Sequence, residues 1–289
     1  MRRLRRIWSA LRGTPPPAPR IHRVAPPAVS PSTRQTLFPG RGAVIIGAGP
    51  NIGLGIAQEL AREGASLLLT NASAADLEMV SSPLQAEGVL PLTLVSDVRE
   101  AGAADALLDM IEHQRFPFDL LVLNAGIHSV DRPPTAEEAL EVFHTNTVAP
   151  VMLARRAATC MRHRSPPGSI VFINSIHSGI VRGDAYYSAS KAALKMATRE
   201  LALELAPLGI RVNSIAPGWV ATAPEGGAVP HRLTPLYQTS TTPEAIGRAV
   251  VFLASHAWSP HTTGAMLTVD GGASLVGYAT PSLPPLPEP

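Results

Sequence analysis

The chain has 289 residues, 45% of them hydrophobic, which suits one large α/β domain with its own core. Its single cysteine, Cys160, excludes an intramolecular disulfide, and we expect a buried, reduced thiol in a helix and a reducing compartment. No apolar run reaches the length of about 18 residues that a membrane span needs, and no apolar signal core follows the N-terminus.

The positive charge is confined to the N-terminal end. Residues 1–41 hold nine Arg and no Asp or Glu, whereas the remainder of the chain holds 15 basic and 22 acidic residues. The part expected to fold is therefore net negative, which gives no electrostatic reason to expect nucleic-acid binding.

Residues 1–40 are predicted to be a disordered extension rich in Arg and Pro, and residues 279–289 a disordered Pro-rich tail. Residues 1–12 can form a short helix with one apolar side and arginines around the rest, as in a mitochondrial presequence. Coding bias is the alternative, because the chain has 22 Arg and only two Lys. The predicted location is the cytoplasm, or the mitochondrial matrix if residues 1–40 are a presequence.

Residues 41–278 are predicted to form one domain in which short apolar runs alternate with helical patterns. We expect seven strands, the first four of them buried and parallel, at residues 43–46, 66–69, 90–95, 119–123, 169–173, 211–215 and 266–269. Helices are expected near residues 53–63, 73–87, 100–115, 135–163, 187–206 and 243–254. This alternation predicts the α/β class: a doubly wound Rossmann domain whose mostly parallel seven-stranded sheet is flanked by helices.

The turn after the first strand, residues 47–55, contains four glycines. Glycines there let the backbone approach a pyrophosphate, and the next helix begins with free N–H groups and the positive end of its dipole. A tight strand-to-helix turn without a ligand is the alternative interpretation. Because strand, turn and helix follow in the required order, we predict a dinucleotide site that includes Gly47, Asn51, Ile52 and Gly53.

The end of the second strand should distinguish NAD from NADP. An acidic residue there binds the ribose 2′-OH of NAD, whereas an Arg accommodates the 2′-phosphate of NADP. Asn71 occupies this position and is followed by Ala72 and Ser73, so neither signal is present. The absence of a repelling carboxylate favours NADP only slightly.

Residues 175–191 can bring a hydroxyl, a phenol and an ammonium together. Tyr187 and Lys191 are four residues apart, so on a helix they share a face, with Cβ atoms about 5–6 Å apart. The pKa of a phenol is about 10, and a cation beside the phenolate lowers that pKa towards neutrality. Ser175, at the end of a predicted strand, could hydrogen-bond the same substrate oxygen. A chance Tyr-x-x-x-Lys pattern on a surface helix is the alternative.

With these features in order, residues 42–277 resemble the short-chain dehydrogenase/reductase family, and in particular its 3-oxoacyl-[acyl-carrier-protein] reductase-like branch. The glycine turn is similar to the family's Thr-Gly-x-x-x-Gly-x-Gly, with Ile46 in place of the Thr. Asn51 replaces the middle Gly, which we attribute to the tolerance of Asn for a left-handed backbone. The resemblance implies hydride transfer between the nicotinamide of NAD(P)(H) and the carbonyl or secondary-alcohol carbon of a small molecule.

The resemblance implies four catalytic residues. Tyr187 would exchange a proton with the substrate oxygen, and Ser175 would hydrogen-bond that oxygen. Lys191 would lower the phenol pKa and bind the nicotinamide ribose, and Asn146 would position a water for proton relay.

Ser175 precedes Tyr187 by 12 residues, where the family more often leaves one more, so the intervening loop is expected to be shortened. His177 and Asp184 lie in this loop. A His–Asp relay is one interpretation, and two solvated loop residues are the favoured one.

Further cofactor contacts are implied at the ends of two other strands. Asp97 and Val98 follow the third strand, where Asp97 would hydrogen-bond the adenine edge, with a helix cap as its alternative role. Asn124, Ala125 and Gly126 are similar to the family's Asn-Asn-Ala-Gly motif.

The stretch from Pro217 to Thr222 resembles the family's Pro-Gly segment beside the nicotinamide. Pro217 and Gly218 would shape it, the Val220 backbone would meet the carboxamide, and Thr222 would contact the amide or a phosphate. No metal site is predicted.

Two alternatives remain open. A non-catalytic nucleotide-binding regulatory or scaffold protein on the same fold would be expected to lack part of the catalytic set, and none of the four residues is missing. Epimerase or dehydratase chemistry is disfavoured by the short chain after Pro217-Gly218.

The substrate is the least determined feature. Residues 223–242, rich in Gly, Pro and Thr, are predicted to be a mobile lid and identify no ligand. The resemblance makes a 3-oxoacyl compound or a secondary alcohol the default substrate. It also implies a homodimer or homotetramer that pairs through the helices predicted at 135–163 and 187–206.

Overall fold

The computed structural model describes residues 36–128, 134–161, 168–181, 183–220, 234–236 and 240–276. Within them, one seven-stranded sheet has the order β3-β2-β1-β4-β5-β6-β7, and every neighbouring pair is parallel. The strands are β1 (Gly42–Ile46), β2 (Ser66–Asn71), β3 (Leu92–Val95), β4 (Phe118–Leu123), β5 (Ser169–Ile173), β6 (Arg211–Pro217) and β7 (Met266–Val269). The predicted doubly wound α/β fold is confirmed.

Helices cover both faces of the sheet. They are α1 (Ile52–Arg62), α2 (Ala74–Ala86), α3 (Ala103–His113), α4 (Ala136–Phe143), α5 (Ala149–Met161), α6 (Ala185–Leu205), α7 (Pro243–Ala254) and α8 (Ala273–Val276). One core cluster joins the sheet to α1, α2 and α7, and the other joins it to α3, α5 and α6. No helix in the described ranges is both long enough and apolar enough to cross a bilayer.

The prediction of a buried strand at 90–95 is wrong in its burial and its start. The strand β3 begins at Leu92 and lies at the edge of the sheet, with β2 as its neighbour. Leu94 packs against the core, but Val95 is 58% exposed and Leu90, before the strand, is 83% exposed. In an edge strand with one covered face, buried and exposed positions alternate. An unbroken apolar run in the sequence predicts burial on both faces and does not reveal this alternation.

The single helix predicted at 135–163 is also wrong. It is divided into α4, a π-helix at His144–Val148, and α5, with residues 162–163 outside the described ranges. Pro150, the second residue of α5, has no N–H to offer the carbonyl of Asn146 four residues earlier. A π-helical turn accommodates such a break, and turns of this kind are frequent at functional sites.

Helix α6 begins at Ala185, two residues before the predicted start. Asp184 caps it, because its Oδ1 accepts a hydrogen bond from the N–H of Tyr187 at 3.0 Å. Tyr187 therefore lies in the first turn of the helix, on the face that also carries Lys191.

The folded part begins earlier than residue 41. Phe38 is 2% exposed and belongs to the core layer of α1, and its N–H donates to the carbonyl of Glu63 at 2.9 Å. A domain boundary after residue 40 is thus too late, because Leu37 and Phe38 already pack on the domain. The predictions for residues 1–35 and 279–289 lie outside the described residues and stay predictions.

The expectation that Cys160 is buried is wrong, because the residue is exposed near the end of α5. The inward positions of this part of the helix are taken by Ala157, Ala158 and Met161, each at most 1% exposed. Cys160 lies outside the face of the helix that these three residues share.

Candidate active site

The site lies where the strand order reverses, at the carboxyl ends of β1 and β4. The N–H groups of Asn124 and Ala125 both donate to the carbonyl of Ile46, at 2.9 and 3.0 Å. The side chain of Asn124 donates to the carbonyl of Gly47, which ties the end of β4 to the glycine turn. Ligands of open parallel sheets bind in the crevice at such a point.

The glycine turn is a backbone surface with room above it. Gly47 has φ of +77°, and a Cβ there would lie 2.5 Å from the nitrogen of Ala125. A Cβ on Gly53 would lie 2.8 Å from the Cα of Ala48, so both positions require glycine. At Gly49, in contrast, a Cβ would meet only Asn71 Nδ2, at 3.8 Å. The turn packs tightly on its neighbours at Gly47 and Gly53 and is open at Gly49, which leaves room for a bound pyrophosphate.

The explanation offered for Asn51 is wrong. Its φ is −111°, so this position does not need a residue that tolerates a left-handed backbone. Asn51 immediately precedes α1, which begins at Ile52, and its Oδ1 is buried with no hydrogen-bond partner among the described residues. A buried acceptor without a partner next to the open turn fits a donor group on a bound nucleotide.

Asn71 lies where the sequence placed it, at the end of β2 and beside the glycine turn. Its Oδ1 accepts the N–H of Ser73 at 3.0 Å, and its Nδ2 is the group nearest to the open side of Gly49. The side chain is therefore held beside the open side of the glycine turn.

Asp97 is held by Arg99. The guanidinium binds both carboxylate oxygens, at 2.6 to 3.0 Å, and this hydrogen bonding holds the pKa of Asp97 below its usual value. Asp97 does not cap α3, which follows Gly102. Val98 lines a cavity of about 500 Å³ that also touches Ile46 of β1 and Thr70 of β2.

Tyr187 and Lys191 form the predicted pair. Lys191 Nζ lies 5.8 Å from the centroid of the Tyr187 ring and donates to the carbonyl of Ile173 at 3.0 Å. Lys191 is 4% exposed, and burial lowers its pKa from 10.5 to about 8. Ser175 follows β5, is 6% exposed, and lines the same cavity as Tyr187.

Asn146 is fully buried in the π-helix and ties it to two neighbouring segments. Its Oδ1 accepts the N–H of Ile127 at 2.8 Å, and its Nδ2 donates to the Ile127 carbonyl and to Ser190 Oγ on α6. A Cβ on Gly126 would lie 3.3 Å from both Asn146 Oδ1 and Lys191 Nζ. The glycine of the Asn-Ala-Gly motif thus allows the asparagine and the lysine to come together.

A cavity of about 280 Å³ joins the glycine turn to Ser175 and Tyr187. The predicted residues on its wall are Asn51, Ile52, Ser175, Tyr187, Pro217, Gly218 and Val220. A Cβ on Gly218 would lie 2.6 Å from Asp270 Cβ, so the Pro-Gly stretch packs directly on the segment that follows β7. Thr222 and most of the predicted lid at 223–242 lie outside the described residues.

Sequence reasoning missed two residues of this wall, His128 and Asn174. The ring of His128 lies 4.4 Å from that of Tyr187, centroid to centroid. Asn174 is 3% exposed, and its Nδ2 has no hydrogen-bond partner among the described residues. The sequence signal that could have found them is their proximity to predicted site residues: His128 follows Gly126 by two residues, and Asn174 directly precedes Ser175.

The loop residues His177 and Asp184 are half-buried, so the interpretation that both are solvated is wrong. Asp184 caps α6, and the ring of His177 lies 6.2 Å from that of Tyr187. In the described part of the chain, no group of three or more His, Cys, Asp or Glu side chains is arranged to hold a metal ion.

The chain is similar to known proteins over most of its length. The family model described as Enoyl-(Acyl carrier protein) reductase matches residues 47–274. Gluconate 5-dehydrogenase of Gluconobacter oxydans (strain 621H) is 34% identical over 251 residues, 82% of this chain and 95% of that protein. Galactitol 2-dehydrogenase (L-tagatose-forming) of Cereibacter sphaeroides is 35% identical over 249 residues, 82% and 96% of the two chains.

Among solved structures, the apo-form of glucose dehydrogenase of Caenorhabditis elegans superimposes with a TM-score of 0.75 at 33% sequence identity. The match covers 83% of this chain and 100% of that one. The names of these relatives give no support to a non-catalytic role.

Proposed function

We propose that Tyr187 is the acid–base residue of this chain. The chain belongs to the short-chain dehydrogenase/reductase family and is an NAD(P)-dependent oxidoreductase. The enzyme transfers a hydride between nicotinamide and a carbonyl or secondary-alcohol carbon. The observation that carries the proposal is the Tyr187 ring on the cavity wall, with the amine of Lys191 at 5.8 Å behind it.

In the direction of reduction, the O–H of Tyr187 would give its proton to the substrate oxygen, and the phenolate left behind would be stabilised by the Lys191 ammonium. The hydroxyl of Ser175 would donate a hydrogen bond to the same oxygen and so orient it. Asn146, through its bonds to Ile127 and Ser190, would fix the segments around the lysine and position a relay water. When bound, the nicotinamide supplies or accepts the hydride.

The residues that would hold the cofactor follow the carboxyl edge of the sheet. The open glycine turn and the unsatisfied Oδ1 of Asn51 support a nucleotide at this edge. The proposed contacts are Gly47, Asn51, Ile52 and Gly53 for the pyrophosphate, Asn71 for the ribose, Asp97 and Val98 for adenine, and Asn124, Ala125, Gly126, Tyr187, Lys191, Pro217, Gly218, Val220 and Thr222 for the nicotinamide half. Because Asn71 brings no carboxylate, we retain a slight preference for NADP.

For the substrate, we propose a small hydroxylated secondary alcohol or the corresponding ketone. The relatives are named for gluconate and galactitol, and both of these compounds carry several hydroxyl groups. These observations favour a small hydroxylated substrate over the 3-oxoacyl compound that was the default from the sequence.

We further propose a homodimer or homotetramer that pairs through α5 and α6. The outer face of these helices and of the adjoining π-helix carries exposed apolar side chains, of which Met152 is 61%, Met196 54% and Leu203 75% exposed. Apolar side chains grouped on one face of a molecule are typical of an interface. The proposed location is the cytoplasm, with the mitochondrial matrix as the alternative if residues 1–40 direct import.

The adjacent tyrosines provide a matched test of the acid–base assignment. Tyr187→Phe removes the proton donor, so turnover should fall by at least about 10²- to 10⁴-fold, whereas nucleotide binding should be nearly unchanged. Tyr186, which is 41% exposed, is the control, and Tyr186→Phe should keep normal turnover. Steady-state rates with NADH and NADPH and a binding titration give the comparison. Near-normal turnover of the Tyr187 variant would remove Tyr187 from the reaction.

A further inference from the structure

We propose that the active site selects substrates that carry a carboxylate, and that His128 is the side chain that binds it. The inference rests on the proposed function, because it assigns a substrate class to the same site. It concerns a residue outside the set that exchanges the proton and holds the nucleotide.

His128 stands at the edge of the cavity, against the proposed acid–base residue. It is exposed, and its ring lies 4.4 Å from that of Tyr187, with 49° between the ring planes. A substrate whose reacting oxygen contacts the phenol therefore presents its neighbouring substituents to this imidazole. His128 lines the cavity but takes no part in the proposed proton transfer, so it is placed to select the substrate.

The rest of the wall offers hydrogen-bond donors. Asn174 lines the cavity, is 3% exposed, and has an Nδ2 without a partner among the described residues. Its Oδ1 already accepts the N–H of Ser175 at 2.8 Å, so the free group is a donor. Buried donors are normally satisfied, so this wall calls for an acceptor oxygen from a ligand.

No Asp or Glu is among the described residues that line the cavity, although the chain from residue 42 onward holds 22 acidic against 15 basic residues. Asp184 belongs to the neighbouring loop, where its Oδ1 accepts the N–H of Tyr187. The Oδ1 of Asn51 is an unsatisfied acceptor on this wall, but it belongs to the nucleotide turn. With the amine of Lys191 behind the phenol, the wall favours an anion, although the chain from residue 42 onward is net negative.

The chemistry of imidazole matches this environment. A His ring has at least one N–H in either protonation state, and it can donate that N–H to a carboxylate. Hydrogen bonds to charged groups are roughly twice as strong as those between neutral groups. A methyl ester of the same carbon skeleton keeps the shape but loses the charge, so an acid and its ester form a matched pair of substrates.

Steady-state kinetics with oxo acids and hydroxy acids, each paired with its methyl ester, test the inference. The measured quantity is the ratio of kcat/KM for the acid to that for its ester, in the wild type, in His128→Leu and in the matched variant His177→Leu. We expect the wild-type ratio to be well above one and to fall about 10- to 100-fold in His128→Leu, the worth of a hydrogen bond to a charged group. The ratio in His177→Leu should change little. Loss of ring packing on Tyr187 would slow both members of a pair, so the ratio isolates recognition of the carboxylate.

Several outcomes overturn the inference: a wild-type ratio near one, an unchanged ratio in His128→Leu, or a fall confined to His177→Leu. An enzyme that turns over esters but not acids contradicts the inference and leaves the proposed function standing. If no compound is turned over, the proposed function fails, and binding decides the inference. Acetate, but not acetamide at the same concentration and ionic strength, should then shift the His128 signal in NMR spectra of enzyme with isotope-labelled histidine. A His128 signal that acetate leaves unmoved overturns the inference.

Discussion

At the scale of single residues, the role proposed for Lys191 is combined with a cost in stability. Burial lowers its pKa from 10.5 to about 8, so between these pH values the unfolded chain binds more protons than the folded one. The contribution of Lys191 to the free energy of unfolding therefore increases as the pH rises from about 8 to 10.5, and the full cost of the buried ammonium is present below that range. The ammonium beside the phenol thus lowers the free energy of unfolding at neutral pH.

Replacing this lysine should separate stability from function. Lys191→Met removes the buried charge, so the melting temperature of the cofactor-free variant should exceed that of the wild type at pH 7, while turnover is lost. The difference should shrink towards pH 10, where the wild-type amine is neutral and its hydrogen bond to Ile173 remains. Thermal denaturation at the two pH values measures this. A variant less stable than the wild type at pH 7 would contradict the lowered pKa.

Asn71 should control the choice of cofactor. A carboxylate introduced by Asn71→Asp would repel a 2′-phosphate and accept a hydrogen bond from a 2′-OH, which shifts the preference towards NAD. The variant keeps an oxygen for the N–H of Ser73, so the local turn is preserved. The ratio of kcat/KM with NADH to that with NADPH is the measurement, and Asn71→Ser is the neutral control. A ratio that does not move would show that Asn71 does not face the ribose.

At the scale of elements, the sequence is most informative where a segment has the same surroundings along its whole length. The strand β1 is covered on both faces, with Ile45 in one core cluster and Ile46 in the other, so an unbroken apolar run predicts it well. The strand β3 has a similar run of residues but lies at the sheet edge. Its own residues do not predict this, because the position of a strand in a sheet depends on the other strands. The π-helix at 144–148 depends on Pro150, whose effect on the carbonyl four residues earlier is local and could have been predicted.

For the site, motif residues were predictable and wall residues were not. Tyr187 and Lys191 have the four-residue spacing that places them on one face of a helix, and the structure places Ser175 and Tyr187 beside one cavity. His128 and Asn174 become part of the site because the ends of β4 and β5 lie side by side in the sheet. That proximity is a property of the fold, so a single sequence gives only the hint that both residues adjoin a motif.

The segment before β1 should act as part of the folded domain. Phe38 is 2% exposed and packs in the core layer of α1, so Phe38→Ala should lower the free energy of unfolding by about 3–5 kcal/mol. Leu37, only partly buried in the same layer, is the control, and Leu37→Ala should cost clearly less. Chemical denaturation of both variants measures the difference. An effect of Phe38→Ala no larger than that of the control would mean that this segment is not integrated into the core.

Across the molecule, the proposed chemistry and the proposed assembly lie on different sides of the helix α6. Tyr187 and Lys191 face inward from α6, whereas Met196 and Leu203 of the same helix face outward and are exposed. The ion pair between Arg155 and Glu204, at 2.7 Å, joins α5 to α6 on the outer side. Pairing through this face would therefore brace the helix that carries the catalytic pair, without covering the carboxyl edge of the sheet.

The oligomeric state provides the corresponding test. Met196 and Leu203 are seven residues apart on α6, so they lie on one face, and a carboxylate at each would place like charges inside a paired interface. We expect sedimentation velocity to show a dimer or tetramer for the wild type and a smaller species for the double variant Met196→Glu, Leu203→Glu. The control is Met79→Glu on α2, which is 51% exposed and lies on the other side of the sheet, and it should leave the wild-type species unchanged. Turnover of the dissociated variant should fall if pairing braces α6. A wild type that sediments as a monomer, or a double variant that assembles like the control, would contradict pairing through α5 and α6.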